Sequence, residues 1–248
     1  MAQKHLLLIH GFLEDASMWN AIPPKTFSRS LKIHTPELLG HGNRPMITNP
    51  TVKDYAVDIV SQLQIPAEDA AVVVGHSMGG YVAIEVMKLL GNSAHALCLL
   101  HSTGKEDSET KKADRLRARD AVMQNKELYN RTVITSLFHE KKKELLRDQI
   151  ENNIAIANRM SVEAITSSIV AMRDRPDHIE TLKQRSYPLF YFLGDNDSRL
   201  PLNEMMEEIN QLPGCVHEIA ENTGHMGHME CPVEVALFLQ RIVRAEMG

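Results

Sequence analysis

Cysteine is scarce in this chain, and its scarcity excludes two kinds of site. The three cysteines, Cys98, Cys215 and Cys231, are widely scattered and form no CxxC pair. Neither a disulfide framework nor a cysteine-based zinc site is indicated, and a reducing compartment, the cytoplasm, is expected. Long blocks of like charge are also missing. The 27 Lys and Arg stand against 32 Asp and Glu, for a net charge of −5. That balance argues against a nucleic-acid partner and suits a protein with a small-molecule substrate. Long apolar runs are missing too: the N-terminal run Leu6 to Ile9 is far too short for a membrane span or a signal segment and has no small-residue cleavage site, so no membrane association is expected. No internal repeat or low-complexity segment interrupts the 248 residues, a length that suits one α/β domain carrying an insertion.

What the sequence does contain is a series of short apolar runs: His5 to Ile9, Leu31 to His34, Ala70 to Val74, Ala96 to Leu100, Leu189 to Leu193 and Val216 to Ile219. Helical patterns separate several of them, which predicts a parallel sheet whose strands are buried on both faces. In such a sheet the C-terminal strand ends share one edge, and that edge holds the site. The third run leads into Gly75-His76-Ser77-Met78-Gly79-Gly80. A serine presented on a very tight strand-to-helix turn brings the residues two before and two after it into near contact, and only glycine fits there easily. The following segment, Tyr81 to Leu90, reads as a helix closed by Gly91, so a helix N-terminus lies under the Ser77 hydroxyl and favours negative charge near it.

Between His101 and Tyr187 the strand pattern stops and amphipathic helices take over. Val162, Ile165, Ile169 and Met172 share one helical face behind a Ser161 cap, and Leu146, Ile150, Ile154 and Ala157 mark another. The organisation predicted is an α/β core of residues 1–102 and 186–248 with an all-helical cap, residues 103–185, inserted into it. Residues 105–185 carry 17 Lys and Arg against 14 Asp and Glu, a net +3, while the remainder carries 10 against 18, a net −8. A basic cap could favour acidic substrates, but solvated helix faces account for such an excess.

In their order along the chain these motifs resemble the α/β-hydrolase superfamily. Leu8-Ile9-His10-Gly11-Phe12, Trp19 and Leu39-Gly40-His41-Gly42 look like its HG loop and LPGHG-type turn, and Gly75 to Gly80 looks like its nucleophile elbow. Gly194 to Pro201 resembles its GxxD loop, and Gly224-His225 with Glu230 and Pro232 resembles its histidine loop. Within the superfamily the likeness is to small esterase-like proteins of the pimeloyl-carrier methyl ester esterase type. The resemblance implies a core of about six mostly parallel strands flanked by helices. Most relatives begin with an antiparallel hairpin, but only Met1, Ala2 and Gln3 precede the segment Lys4 to Ile9 here. Two family strands are therefore expected to be missing, leaving six parallel strands with Leu31 to His34 at one edge.

A serine hydroxyl needs a base within hydrogen-bond reach, and the base needs an orienting group. His225, between Gly224 and Gly227 in a loop after the last run, is the better base, and His228 is the runner-up. The family pattern favours the histidine directly after the glycine. Asp197 and Asp195 compete to orient it; Asp197 matches the family loop, and Asp195 suits a turn cap. The resemblance assigns the two oxyanion donors to the backbone N–H groups of Phe12 and Met78. His10, His41 and His76 are expected to support loops. His225, His228 and Glu230 lack the helical frame of a zinc site, so neither metal nor cofactor is expected. The function implied is a serine hydrolase acting on a small-molecule carboxylic ester through an acyl-enzyme. Thioester, amide, lactone and carbon-carbon cleavage use the same triad, and a small-molecule receptor with vestigial hydrolysis is the alternative of another class. Monomer and homodimer are both compatible with the sequence.

Overall fold

The apolar runs become six strands: β1 (Lys4–Ile9), β2 (Leu31–His34), β3 (Ala70–His76), β4 (Ala94–Leu100), β5 (Leu189–Gly194) and β6 (Val216–Ala220). The structure, a computed structural model, describes residues 2–23, 26–28 and 30–247. All strand pairs are parallel, in the order β2-β1-β3-β4-β5-β6. As expected from the sequence, Leu31–His34 lies at one edge, and no antiparallel strand occurs among the described residues.

Burial on both faces explains why the runs are continuous. Leu7, Ile9, Val73, Leu97, Leu99 and Tyr191 point to one face, where they pack with α1 (Val52–Leu63) and α2 (Met78–Leu90). Their neighbours Leu6, Leu8, Val72, Val74, Cys98 and Phe192 point to the other, under α10 (Pro232–Met247). Edge strands escape this rule: Val216 and Ile219 on β6 are 52% and 36% exposed.

The strand order also places the site. From β1 the chain moves outward to β2, then crosses back to β3 and proceeds in one direction to β6. Right-handed crossovers put connections of opposite direction on opposite faces. Accordingly the β1–β2 link packs Met18, Trp19 and Ile22 on the second face, whereas α1 and α2 lie on the first. The chain diverges between the ends of β1 and β3, which opens a crevice there.

Between β4 and β5 the described chain is helical: α3 (Glu109–Gln124), α4 (Lys126–Ser136), α5 (Arg147–Arg159), α6 (Val162–Arg173) and α7 (Ile179–Lys183). α3 packs on α6, and α4 on α5. Ser161 caps α6 by accepting from the Ala164 N–H, as its sequence position predicts. Ile165, Ile169 and Met172 are buried behind that cap, but Val162 is 42% exposed in the first turn. Leu146, Ile150, Ile154 and Ala157 are all buried, with Leu146 just ahead of the first turn of α5. These side chains join the core on the first face of the sheet, and the Tyr55 hydroxyl on α1 meets the Ser168 hydroxyl on α6 at 3.0 Å. The chain closes with α8 (Leu202–Ile209), the short α9 (Gly227–Glu230) and α10.

Candidate active site

Ser77 sits at the junction of β3 and α2 with φ 51° and ψ −119°, a conformation that side-chain-bearing residues rarely adopt. The turn is held from three sides. The Ser77 N–H donates to the Leu100 carbonyl at 3.0 Å, the Gly80 N–H donates to the Ser77 carbonyl at 2.9 Å, and the Ser102 hydroxyl donates to the same carbonyl at 2.7 Å. The two glycines around it are fixed by backbone on both sides. A Cβ on Gly75 would strike the Gly79 carbonyl, and one on Gly79 would strike the carbonyls of Ile9 and His10. Backbone cannot swing aside as a side chain can. Gly79→Ala is therefore expected to cost about 3 kcal/mol or more, measured by urea unfolding. An alanine variant as stable as the parent would contradict the close approach.

The structure brings together the three residues that the sequence motifs single out. His225 Nε2 lies 2.8 Å from Ser77 Oγ, and His225 Nδ1 lies 2.7 Å from Asp197 Oδ2. Asp197 is buried and saturated with donors. Its Oδ1 accepts from the N–H groups of Arg199 and Leu200 at 2.8 and 3.2 Å, and its Oδ2 also accepts from His101 Nδ1 at 3.1 Å. Burial alone would raise this carboxyl, but the imidazoles of His225 and His101 hold it well below the usual carboxylate range. Asp195 takes the turn role expected of it, accepting from the Thr223 N–H at 3.0 Å.

The His225 loop is braced by groups that a local reading of the sequence does not reveal. Glu230 accepts from the N–H groups of Gly224, Met226 and His139, at 3.0 Å or slightly more from the first two and 2.9 Å from the last. The His225 N–H donates to the Leu137 carbonyl at 2.7 Å, and His76 Nε2 donates to the His225 carbonyl at 3.0 Å. His76 Nδ1 reaches the buried Glu14 carboxylate at 2.8 Å, which also accepts from the Gly11 N–H at 2.6 Å. Burial opposes charge on both partners, yet their mutual attraction wins. It brings Glu14 down to about 2 and raises His76, so the pair is ionic. Thus His76 supports a loop, as do His10, which accepts the Leu38 N–H, and His41, which donates to the Leu39 carbonyl.

Two groups of side chains have metal-ligand proximity: Glu14 with His76 and His228, and His101 with Asp197 and His225. In each, one of the three groups is already committed to protons. His76 carries N–H groups on both nitrogens, and Asp197 Oδ2 accepts from two imidazoles. Neither arrangement suits a cation.

Phe12 follows β1 and Met78 follows Ser77, on neighbouring strand ends whose register pairs Ile9 with Gly75. Among the described residues neither backbone N–H has a protein acceptor. In front of Ser77 lies a cavity of about 330 Å3 lined by Phe12, Ser77, His225 and Met226 from the core and by Tyr129, Leu137 and Met172 from the helices, among others. His101, Glu14, Arg115 and Arg199, none of them marked by the sequence motifs as a site residue, also border the site. A signal for His101 was present: it directly follows β4, the same edge position that marks the other site residues.

A strand-turn-helix serine, a relay of histidine and aspartate and a crevice at the strand ends define one class of protein. The chain belongs to the alpha/beta hydrolase family, whose sequence profile matches residues 6–236. It is an enzyme of that family. Among curated proteins it is similar to the 2-succinyl-6-hydroxy-2,4-cyclohexadiene-1-carboxylate synthase of Salmonella heidelberg (strain SL476), with 24% identity over 96% of this chain and 93% of the relative. A pimeloyl-[acyl-carrier protein] methyl ester esterase of Aromatoleum aromaticum is 33% identical, over 36% of this chain and 33% of its own. Among solved structures, a thermophilic esterase of Thermogutta terrifontis with malate bound superposes with a TM-score of 0.90 at 24% identity, over 100% of this chain and 92% of that one.

Proposed function

We propose that this protein is a serine hydrolase that cleaves a small-molecule carboxylic ester through an acyl-enzyme. The observation that carries the reading is the unbroken hydrogen-bond chain from Ser77 Oγ through His225 to Asp197, opening onto a cavity. Ser77 attacks the acyl carbon while His225 Nε2 takes its proton; Asp197 orients the imidazole and stabilises its charged form. The tetrahedral oxyanion forms between the N–H groups of Phe12 and Met78, each such donor being worth about 3 kcal/mol in a characterised serine hydrolase. His225 then returns the proton to the leaving alkoxide. In the second half-reaction His225 deprotonates water, which attacks the acyl-Ser77 ester and releases the acid. Residues 103–185 serve as the cap of this site, with residues 1–102 and 186–248 as the core, and the lining contributed by Tyr129, Leu137 and Met172 supports that division. Three free cysteines, and the absence of any described helix long and apolar enough to cross a membrane, support a cytoplasmic setting.

The whole-length curated relatives favour a second reading, in which the same three residues serve a synthase reaction of the kind their name prints. Reaction with a fluorophosphonate followed by peptide mapping, together with turnover of p-nitrophenyl esters of graded chain length, tests the first. An adduct on Ser77 and measurable ester turnover are expected. An adduct without turnover of any ester moves the assignment to the second reading, and neither adduct nor turnover sinks both.

A further inference from the structure

Four lysine and arginine side chains line the cavity in front of Ser77: Lys111, Arg115, Arg175 and Arg199. Two have complete environments. Arg175 is buried, pairs with Asp107 Oδ1 at 2.7 Å, donates to the carbonyls of Lys105 and Met172, and lies over the Tyr81 ring at 4.0 Å. Lys111 sits 3.3 Å from Glu204. The acidic lining residues are likewise matched: Glu14 by His76, Asp114 by Arg117, and Asp107 by Arg175 and Arg115 together.

Arg115 and Arg199 are different. Arg115 gives its Nε to Asp107 Oδ2 at 3.0 Å, and its two terminal nitrogens have no protein acceptor among the described residues. Arg199 donates Nη2 to the Ser136 hydroxyl at 2.8 Å and has no carboxylate within ion-pair distance among the described residues. The phenol of Tyr129, which also lines the cavity, has no protein partner there either and feels the charge of both guanidiniums. Arg199 is exposed as a residue, yet partial desolvation lowers it and the like charge of Arg115 lowers it further, against the opposing influence of Tyr129 and Asp197. Two guanidiniums and a phenol thus face one small space with unused donors. Like charges held in a partly dehydrated pocket repel, and an anion placed between them removes the repulsion. The planar fork of arginine suits a carboxylate, which can accept two parallel N–H bonds.

We propose that Arg115, Arg199 and Tyr129 form a subsite for a carboxylate of the substrate, so that the ester cleaved at Ser77 is an anionic one, such as a half-ester of a short dicarboxylic acid. The proposal rests on the hydrolase reading of the same cavity. The volume of about 330 Å3 lies at the small end for ligand sites, which keeps the substrate short. Arg199 stands two residues from Asp197, on the same loop, and its N–H holds the Asp197 carboxylate. Charge recognition and the relay are therefore built on one segment.

The test compares mono-4-nitrophenyl glutarate with uncharged 4-nitrophenyl valerate, which has an acyl chain of equal length. The charged ester is expected to have a kcat/KM at least tenfold higher, a preference that shrinks with added salt. Arg199→Gln and Arg115→Gln should each cut the preference severalfold or more. Binding is measured separately with glutarate on Ser77→Ala, where no chemistry is needed, and adding Arg199→Gln should weaken it tenfold or more. Equal rates on the two esters, or glutarate binding that neither glutamine substitution alters, overturns the carboxylate subsite. Should neither ester turn over, the hydrolase reading fails, and glutarate binding to Ser77→Ala alone decides the subsite: binding lost in Arg199→Gln supports it, and no binding overturns it.

Discussion

Replacing Ser77 with alanine is expected to lower kcat for p-nitrophenyl esters by about a millionfold, the scale found when the nucleophile of a characterised serine protease is removed. His225→Ala should cost about as much, because neither group activates the acyl carbon alone, and the double variant should be no worse than either single one. Asp197→Asn should cost about 10^4-fold by leaving the imidazole in the wrong tautomer. Stability gives a second and opposite readout at the same position. Ser77 is held at φ 51° and ψ −119°, a conformation that costs on the order of 1–3 kcal/mol for a residue with a side chain. Ser77→Gly is therefore expected to be as inactive as Ser77→Ala yet more stable by about 1 kcal/mol, the gain in strain being partly offset by the greater freedom of glycine in the unfolded chain. Ester turnover within tenfold of the parent in Ser77→Ala would remove Ser77 from its assigned role. Equal stability of the alanine and glycine variants would show that the turn stores no strain.

The sheet was legible because its inner strands are buried on both faces. Runs such as Ala70 to Val74 and Leu189 to Leu193 have no polar alternation to confuse the reading, and the residues that follow them fall at one edge by the geometry of parallel crossovers. Ser77, Asp197 and His225 follow that edge, the family resemblance selects Asp197 over Asp195 and His225 over His228, and the distances of 2.8 and 2.7 Å then join them. What holds them in place was less visible. Glu230 braces the His225 loop through three backbone N–H groups, and Glu14 does so through His76. Such contacts join carboxylates to segments distant in sequence, and no local spacing encodes them.

The helical insertion shows the same limit more sharply. The excess of positive charge in residues 105–185 reads as solvated helix faces, and for most of it that is what the structure shows: Arg117 pairs with Asp114, Arg131 with Glu151 and Arg173 with Asp174, all at the surface. Arg115, on a helix that buries Val122 alone, is indistinguishable from them in sequence. Only the packing of α3 against α6 turns it toward the cavity. Among apolar residues of the helices, Leu137 and Met172 line the cavity, Met172 while also packed in the core, whereas Phe138 and Ile169 are buried in the core without lining it. Helical periodicity identifies a buried face but not which part of it is left uncovered by a neighbouring element.

The histidines that surround the site make the fold itself acid-sensitive, and the expected effect is large. His41, His101 and His228 are wholly buried, and burial, the leading cause in each, pushes them down to about 3, 4 and 3 respectively. In the unfolded chain each returns to about 6.5. Because the folded values are lower, unfolding takes up protons below pH 6.5, and the stability these groups supply is complete above that pH and lost as pH falls toward 4. Near pH 5 these three imidazoles take up about three protons on unfolding, a slope of about 4 kcal/mol per pH unit, to which His34, half-buried and also lowered to about 4, adds. Glu14 adds to the loss only further down, between its ordinary value of 4.5 and about 2. His76 acts on the opposite side: its folded value is raised, so its contribution is complete below pH 6.5 and is lost as pH rises from there through the higher folded value. Urea unfolding at pH 7, 6 and 5 should therefore show a midpoint that collapses on acidification. His228 is the residue to remove, because neither of its nitrogens has a hydrogen-bond partner among the described residues and a leucine fills similar space. His228→Leu should flatten the slope at pH 5 by about 1.4 kcal/mol per pH unit, the share of one proton. A parent slope below that of one proton, or one that His228→Leu leaves unchanged, would mean that these imidazoles are charged or hydrated in the folded protein.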